Sequence, residues 1–228
     1  MNKSLVVITG ASSGIGAAMA KVFSSAGYPI CLLSRNQAAM ENLNLPNVIC
    51  LSVDVTDLEA FKKAIDLAED KFGSVDLFCN NAGFVKAGDF VDVSHEMNEN
   101  MVDVNLKGVI NGLEIVLSRM RERKCGTIIN TSSIADRNAR PNLAVYAATK
   151  AAVKSLTESL RMANAKYGIR ICNLAPAKIR TPMLISSTLP ANEVVEPDAV
   201  AEAALWIYEQ PQNICIRDLV IAPTLYEP

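Results

Sequence analysis

One histidine, His95, stands among 228 residues. A metal site built from two or three histidines is therefore excluded, and a histidine-dependent catalytic triad would hang on that single residue. Aromatic residues are scarce at 5 %, with one tryptophan. Neither sign of charge dominates: 22 Lys and Arg face 24 Asp and Glu, a net −2. That balance offers no bulk attraction for a nucleic-acid backbone. No apolar run approaches the about 18 residues that cross a bilayer. The first run, residues 5–8, is too short for the core of a secretion signal and leads straight into a glycine motif. The six cysteines (31, 50, 79, 125, 172, 215) form no Cys-x-x-Cys pair, and five sit in or beside apolar runs. The expectation is a soluble, cytoplasmic protein with reduced thiols, no metal site, and neither a nucleic-acid nor a membrane partner.

What the chain has in quantity is apolar side chain. Hydrophobic residues make up 50 % and charged residues 20 %, enough for a sizeable core. No linker, repeat or low-complexity stretch divides the chain, so residues 1–228 read as one domain. Apolar runs at 5–9, 29–34, 48–53, 75–79, 126–132, 169–175 and 215–221 predict seven buried strands. Helical patterns lie near 14–27, 57–71, 95–120, 145–167 and 197–209, with a shorter one at 36–43. Asp57 is placed to cap a helix, and Gly27, Gly73 and Gly168 to end one. Alternating strands and helices predict an α/β fold: a doubly wound parallel seven-stranded sheet with helices on both faces. Residues 181–196 lack a clear period and follow the sixth strand. They fall at the carboxyl edge of the sheet, where ligands bind, and are a candidate substrate lid.

Thr9-Gly10-Ala11-Ser12-Ser13-Gly14-Ile15-Gly16 joins the first strand to the first helix. Glycines let backbone approach a pyrophosphate, and a helix N-terminus offers free N–H groups and a positive dipole end. The spacing has one more residue in its first gap than the common dinucleotide fingerprint, but the strand–loop–helix context is right. The second strand ends in Leu33-Ser34-Arg35-Asn36, with no acid until Glu41. An acid there would pair with the ribose of NAD, whereas Arg35, helped by the Ser34 hydroxyl, suits the 2′-phosphate of NADP. NADP is the expected cofactor, ahead of NAD.

Tyr146 and Lys150 are four apart in a helical pattern and share a face. A free tyrosine, with a pKa near 10, is a poor acid–base catalyst at neutral pH; an adjacent ammonium and a nicotinamide cation would both favour the phenolate and lower that value. Such a tyrosine can exchange a proton with a carbonyl oxygen while hydride reaches the carbon. Thr131-Ser132-Ser133 closes the fifth strand, where a serine hydroxyl can donate to the same oxygen.

These segments, together with Asp54-Val55, Asn80-Asn81-Ala82-Gly83, Val104-Asn105 and the stretch from Pro176 to Thr181, occur in one order across most of the chain. In that order they resemble the short-chain dehydrogenase/reductase family in its shorter, Rossmann-only form. The resemblance implies Tyr146 as general acid/base, and Lys150 as the residue that tunes it and holds the nicotinamide ribose. It implies Ser133, thirteen residues before Tyr146, as the substrate-orienting serine, and Asn105 as support for a proton relay. Gly10, Ser12, Ser13, Gly14, Ile15 and Gly16 would hold the pyrophosphate, and Asp54 and Val55 the adenine. Asn80, Asn81, Ala82, Gly83 and Pro176 would shape the cleft, and Thr181 would hold the carboxamide. Arg35 without a neighbouring acid is similar to the NADP-preferring subgroup. Homodimers or homotetramers are implied as well. The chain departs from the family at Pro176-Ala177, where the family has Pro-Gly. If that position needs a positive φ, alanine strains the turn.

The expected substrate is a small carbonyl compound or its alcohol, a hydroxy acid included. Arg137, Arg140 and Arg180 are candidates to clamp an anionic group, against the plainer reading of solvated loop arginines. His95 reads as a solvated helix-start residue. Two other functions use the same motifs: a non-catalytic nucleotide-binding sensor or scaffold, and an epimerase or dehydratase of the same family.

Overall fold

The computed structural model describes residues 3–183 and 190–226. Seven parallel strands form one sheet in the order β3-β2-β1-β4-β5-β6-β7. They are β1 (Leu5–Thr9), β2 (Ile30–Ser34), β3 (Val48–Ser52), β4 (Val75–Asn80), β5 (Gly126–Thr131), β6 (Ile169–Pro176) and β7 (Asp218–Ile221). Every residue of β1, β2, β5 and β6 is buried. That is why these strands read as unbroken apolar runs rather than as alternation. The edge strand β7 does alternate, and it begins at Asp218 rather than at the expected 215.

Successive strand residues point to opposite faces, so β1 feeds two cores. Leu5 and Val7 pack with Phe61, Leu113 and Val153 on one face, and Val6 and Ile8 pack with Met19, Phe23 and Ile207 on the other. The first face is covered by α3 (Leu58–Phe72), α5 (Gly108–Arg123) and α6 (Ala144–Asn164). The second is covered by α1 (Gly14–Ser25), α2 (Gln37–Glu41) and α7 (Pro197–Glu209). Each such fully buried Leu, Ile or Phe contributes about 1.5–3 kcal/mol. The Asp57 side chain caps α3 by accepting from the Ala60 N–H at 3.0 Å, and Gly27, Gly73 and Gly168 take positive φ where the chain leaves helical structure.

The expected single helix over 95–120 is in fact three pieces. α4 (His95–Val102) passes into a π-helical turn, Asp103–Lys107, and then into α5. The cause is close packing. A Cβ on Gly108 would come within 2.6 Å of Val55 Cγ2, and one on Gly112 within 2.6 Å of Phe78 Cζ. The widened turn lets α5 lie that near the sheet and carries Asn105 inward, and π-bulges of this kind gather at functional sites.

All six cysteines are free; burial pushes the thiols of Cys31, Cys79 and Cys172 up, which leaves them as packing groups. Among the described residues no helix is long and apolar enough to cross a membrane. The expected lid over 181–196 falls partly outside the described residues, at 184–189. Its far end is anchored: Ile179 bridges Val195, and Val195 donates its N–H to the Lys178 carbonyl at 3.0 Å.

Candidate active site

β1 and β4 are neighbours from which the chain winds in opposite directions, so their carboxyl ends open a crevice. A cleft of about 890 Å³ runs from there along the strand ends. From the loop after β1, Gly10, Ser12, Ser13, Gly14 and Ile15 line it. Gly10 has φ +66° and Gly14 +53°. A Cβ on Gly10 would sit 2.8 Å from Ala82 Cα, and one on Gly14 would sit 3.0 Å from Thr181 Cγ2. Gly16 does not line the cleft. Its task is packing, because a Cβ there would come within 2.4 Å of the Gly10 carbonyl oxygen. The start of α1 has no side-chain cap and no acid in its first turn. Bare N–H groups behind a glycine cradle fit an incoming phosphate.

Thr9 opens the glycine motif, but its role comes from the structure and not from the motif. Its hydroxyl oxygen accepts the N–H groups of Asn81 and Ala82, both at 2.9 Å, and Asn81 Nδ2 donates to the Thr9 carbonyl at 3.1 Å. These bonds fix the exit of β4 against the exit of β1. Asn81, Ala82 and Gly83 line the cleft, whereas Asn80 is buried and donates to the Val109 carbonyl at 3.0 Å.

Ser34, Arg35, Asp54 and Val55 line the far end. Ser34 Oγ accepts the Asn36 N–H at 3.0 Å. The Arg35 side chain is exposed and lies near Asp54. Burial raises the Asp54 carboxyl, but the Thr56 N–H and hydroxyl, at 2.9 and 2.8 Å, together with Arg35, outweigh it and hold the carboxyl below its ordinary value.

Ser133, Tyr146 and Lys150 come together across the end of β5 and the first turns of α6, and all three line the cleft. The two adjacent serines separate by direction. Ser132 Oγ donates to the Lys150 carbonyl at 3.3 Å, while Ser133 hydrogen-bonds Tyr146 and accepts the Ala135 N–H at 3.2 Å. Lys150 is buried; its ammonium donates to the Thr131 carbonyl at 2.8 Å and lies 5.7 Å from the Tyr146 ring centre. Burial brings its pKa down to about 8, with the Asp136 carboxylate acting the other way.

The surrounding protein alone holds the Tyr146 phenol above its ordinary value. Burial is the largest cause; Ser133 lowers it, and the Asp136 charge raises it further. A lysine that is itself depressed and turned to a backbone carbonyl does not reverse that balance.

Asn105 does not line the cleft. From the π-turn its Nδ2 donates to the Phe84 carbonyl at 2.8 Å and to Thr149 Oγ1 at 3.3 Å, and its Oδ1 accepts the Phe84 N–H at 2.7 Å. It grips the segment after β4 that carries Gly83.

Pro176 and Thr181 line the cleft after β6. Ala177 does not take a positive φ; the left-handed residue is Lys178, at +48°. The turn places its left-handed conformation one residue later than the family glycine would suggest. Two of the three candidate arginines are engaged elsewhere. Arg137 bonds Asp136 at 2.6 Å and Asp218 at 2.9 Å, Arg180 pairs with Glu196 at 2.7 Å, and neither lines the cleft. Arg140 does line it, beside Lys178 and Tyr226, which motif reading did not find. The signal for Tyr226 was positional: it follows β7 at the carboxyl edge.

A family model described as short chain dehydrogenase matches residues 4–191. An uncharacterized oxidoreductase of Listeria monocytogenes is 35 % identical over 238 residues, covering 96 % of this chain and 96 % of that protein. Another from Staphylococcus saprophyticus is 31 % identical over 226 residues, covering 96 % and 97 %. A 3-ketoacyl-(acyl-carrier-protein) reductase from Brucella melitensis, complexed with NADH, superposes with a TM-score of 0.91 at 30 % identity, covering 98 % of each chain. An alcohol dehydrogenase from the archaeon Thermococcus sibiricus, complexed with 5-hydroxy-NADP, superposes with a TM-score of 0.92 at 25 % identity, covering 100 % of this chain and 99 % of that one.

Proposed function

The chain belongs to the short chain dehydrogenase family, an oxidoreductase family, and on that premise we propose that it is an NADP-dependent enzyme interconverting a small carbonyl compound and its secondary alcohol. The observation that carries this reading is Ser133, Tyr146 and Lys150 meeting on one wall of a cleft whose other end is a glycine cradle.

The residues fit a nicotinamide dinucleotide. Gly10, Ser12, Ser13, Gly14 and Ile15 would take the pyrophosphate at the start of α1, Asp54 and Val55 the adenine, and Thr181 the carboxamide. Ser34 and Arg35 support NADP over NAD, because β2 ends without an acid and Arg35 presents a charged fork for a 2′-phosphate. When bound, the nicotinamide supplies or accepts the hydride.

The protein's own part is the proton and the carbonyl oxygen. Tyr146, held protonated by its surroundings, donates to the oxygen as negative charge develops there. Ser133 donates a second hydrogen bond to the same oxygen. Lys150 presents its ammonium near the tyrosine ring and would hold the nicotinamide ribose. Asn105 keeps Phe84, and with it the Gly83 wall, in place. In the reverse direction Tyr146 takes the alcohol proton. We further propose a cytoplasmic homodimer or homotetramer, with the whole chain serving as one oxidoreductase domain.

The test is a paired screen of NADPH and NADH oxidation over aldehydes, ketones and oxo acids, run with alcohol oxidation in parallel. Turnover with NADPH preferred supports the proposal. A strong NADH preference overturns the role given to Arg35, and tight cofactor binding without turnover across the panel overturns the enzyme reading.

A further inference from the structure

The cleft has an uneven charge. Among its described lining residues the one Asp or Glu is Asp54, at the β3 end, where Thr56 and Arg35 already satisfy it. Beyond Tyr146 the lining holds Lys86, Arg140 and Lys178, and no described carboxylate pairs with any of these three. The other two candidate arginines are neutralised by Asp136, Asp218 and Glu196, so the contrast lies within one neighbourhood.

Two of the free cations converge on one side chain. An Arg140 guanidinium N–H donates to the Tyr226 hydroxyl, and the guanidinium lies 5.4 Å from the Tyr226 ring centre. The Lys178 ammonium lies 5.6 Å from the same ring. Each contact is weakly favourable as a cation–π pair, but gathering like charges on one ring costs energy unless an anion joins them. The backbone is committed to this placement as well. Lys178 holds the left-handed φ of +48°, and the Arg140 carbonyl accepts the Leu143 N–H at 3.0 Å in the turn that leads to Tyr146. Leu143 and Met183 add apolar wall beside the cations, a lining for a short hydrocarbon chain.

We propose that the carbonyl substrate is an oxo acid. Its carboxylate is received by Arg140 and Lys178, with Tyr226 as the positioning residue that holds the Arg140 fork. The inference rests on the oxidoreductase reading above and names the substrate class of that same site. The planar guanidinium, already fixed at one N–H by a phenol, suits a planar carboxylate presented edge-on. The redox balance is unchanged: the ketone carbon gains a hydride from reduced cofactor, the ketone oxygen gains a proton from Tyr146, and the carboxylate leaves as it arrived, on a hydroxy acid.

The experiment compares 2-oxobutanoate, 3-oxobutanoate and 4-oxopentanoate with their methyl esters, and adds dihydroxyacetone phosphate, each reduced with NADPH by the whole chain. At least one acid is expected to exceed its ester by about 10–100-fold in kcat/KM, since the ester leaves the cations unpaired. Arg140→Gln is expected to bring that acid-to-ester ratio close to one. Tyr226→Phe, which keeps the ring and removes the hydroxyl, is expected to raise KM for the acid several-fold at nearly constant kcat, roughly the value of one hydrogen bond. Esters turned over as well as acids, an Arg140→Gln loss equal for both, or a preference for the phosphate over every acid overturns the oxo-acid assignment and leaves the oxidoreductase reading standing. No turnover of any carbonyl with either cofactor overturns the oxidoreductase reading itself, and this inference with it.

Discussion

The end of the cleft over β1 to β4 is made largely of backbone, and the end over β5 to β7 largely of side chains. At the first end Gly10 and Gly16 bring main chain within contact of main chain, and Thr9 ties two strand ends through N–H groups. At the second, Ser133, Tyr146, Lys150, Arg140 and Tyr226 set the chemistry by what their side chains carry. A backbone surface suits a ligand that stays the same from one reaction to the next. A side-chain surface can change its ligand by substitution without disturbing the sheet, which is how one fold serves many substrates.

The sharpest way to break this division is Tyr146→Phe. It should lower kcat by about 10²–10⁴-fold, the usual contribution of a positioned acid, while NADPH affinity measured by fluorescence titration stays near wild type. A large loss of cofactor binding would mean the two ends are not separable. Gly16→Ala probes the other end. Its methyl would lie 2.4 Å from the Gly10 carbonyl oxygen, and neither partner is a flexible side chain. Overpacking of this kind costs about 1–3 kcal/mol, to be read as a drop in urea midpoint together with weakened NADPH binding. Arg35→Glu should weaken NADPH binding by about tenfold or more and improve NADH binding, since a charged hydrogen bond is lost and an acid now faces the 2′ position.

The smallest expected effect is in pH. The Lys150 value of about 8 in the folded protein lies below the 10.5 of the free side chain. Between those values the unfolded chain binds more protons, so this group makes the folded state more stable as pH rises from about 8 to 10.5. Urea unfolding of the wild type and Lys150→Met, at neutral pH and near the upper end of that window, should show the wild type gaining on the variant. An unchanged gap would contradict the buried ammonium. The same titration bears on catalysis: carbonyl reduction should decline above about pH 8 as Lys150 loses its charge, whereas Tyr146, raised rather than lowered, stays protonated there.

The backbone end was the more legible in sequence. A glycine loop and an Asp-Val pair are local signals, and local spacing survives folding; at the other end the tyrosine four residues before a lysine was legible in the same way. The seven strands were legible for the same reason: buried parallel strands are short continuous apolar runs. What escaped was set over long range. The π-turn at Asn105 answers the closeness of Gly108 to Val55, a contact across more than fifty residues that no local pattern records. Tyr226 reaches Arg140 from beyond the last strand, and Arg137 is taken from the cleft by Asp218, a residue of that strand. The Tyr146 direction in the protein alone escaped too, because it depends on how deeply the phenol is set and on Asp136, whose side chain is fully buried among Arg137, Lys154 and Asn173.

The bond from Arg137 to Asp218 has a consequence for the making of the protein. Asp218 is the first residue of β7, and the Ala177 N–H, at the end of β6, waits for the Ile221 carbonyl at 2.8 Å. While the chain is still being translated, the glycine loop and its first strands emerge well before these partners exist. Until β7 arrives, the loop that follows Ser133 carries an arginine with half its carboxylates missing, and the turn before Lys178 lacks its tether. The loop after Ser133 and the turn before Lys178 are thus completed only when the last strand joins the sheet.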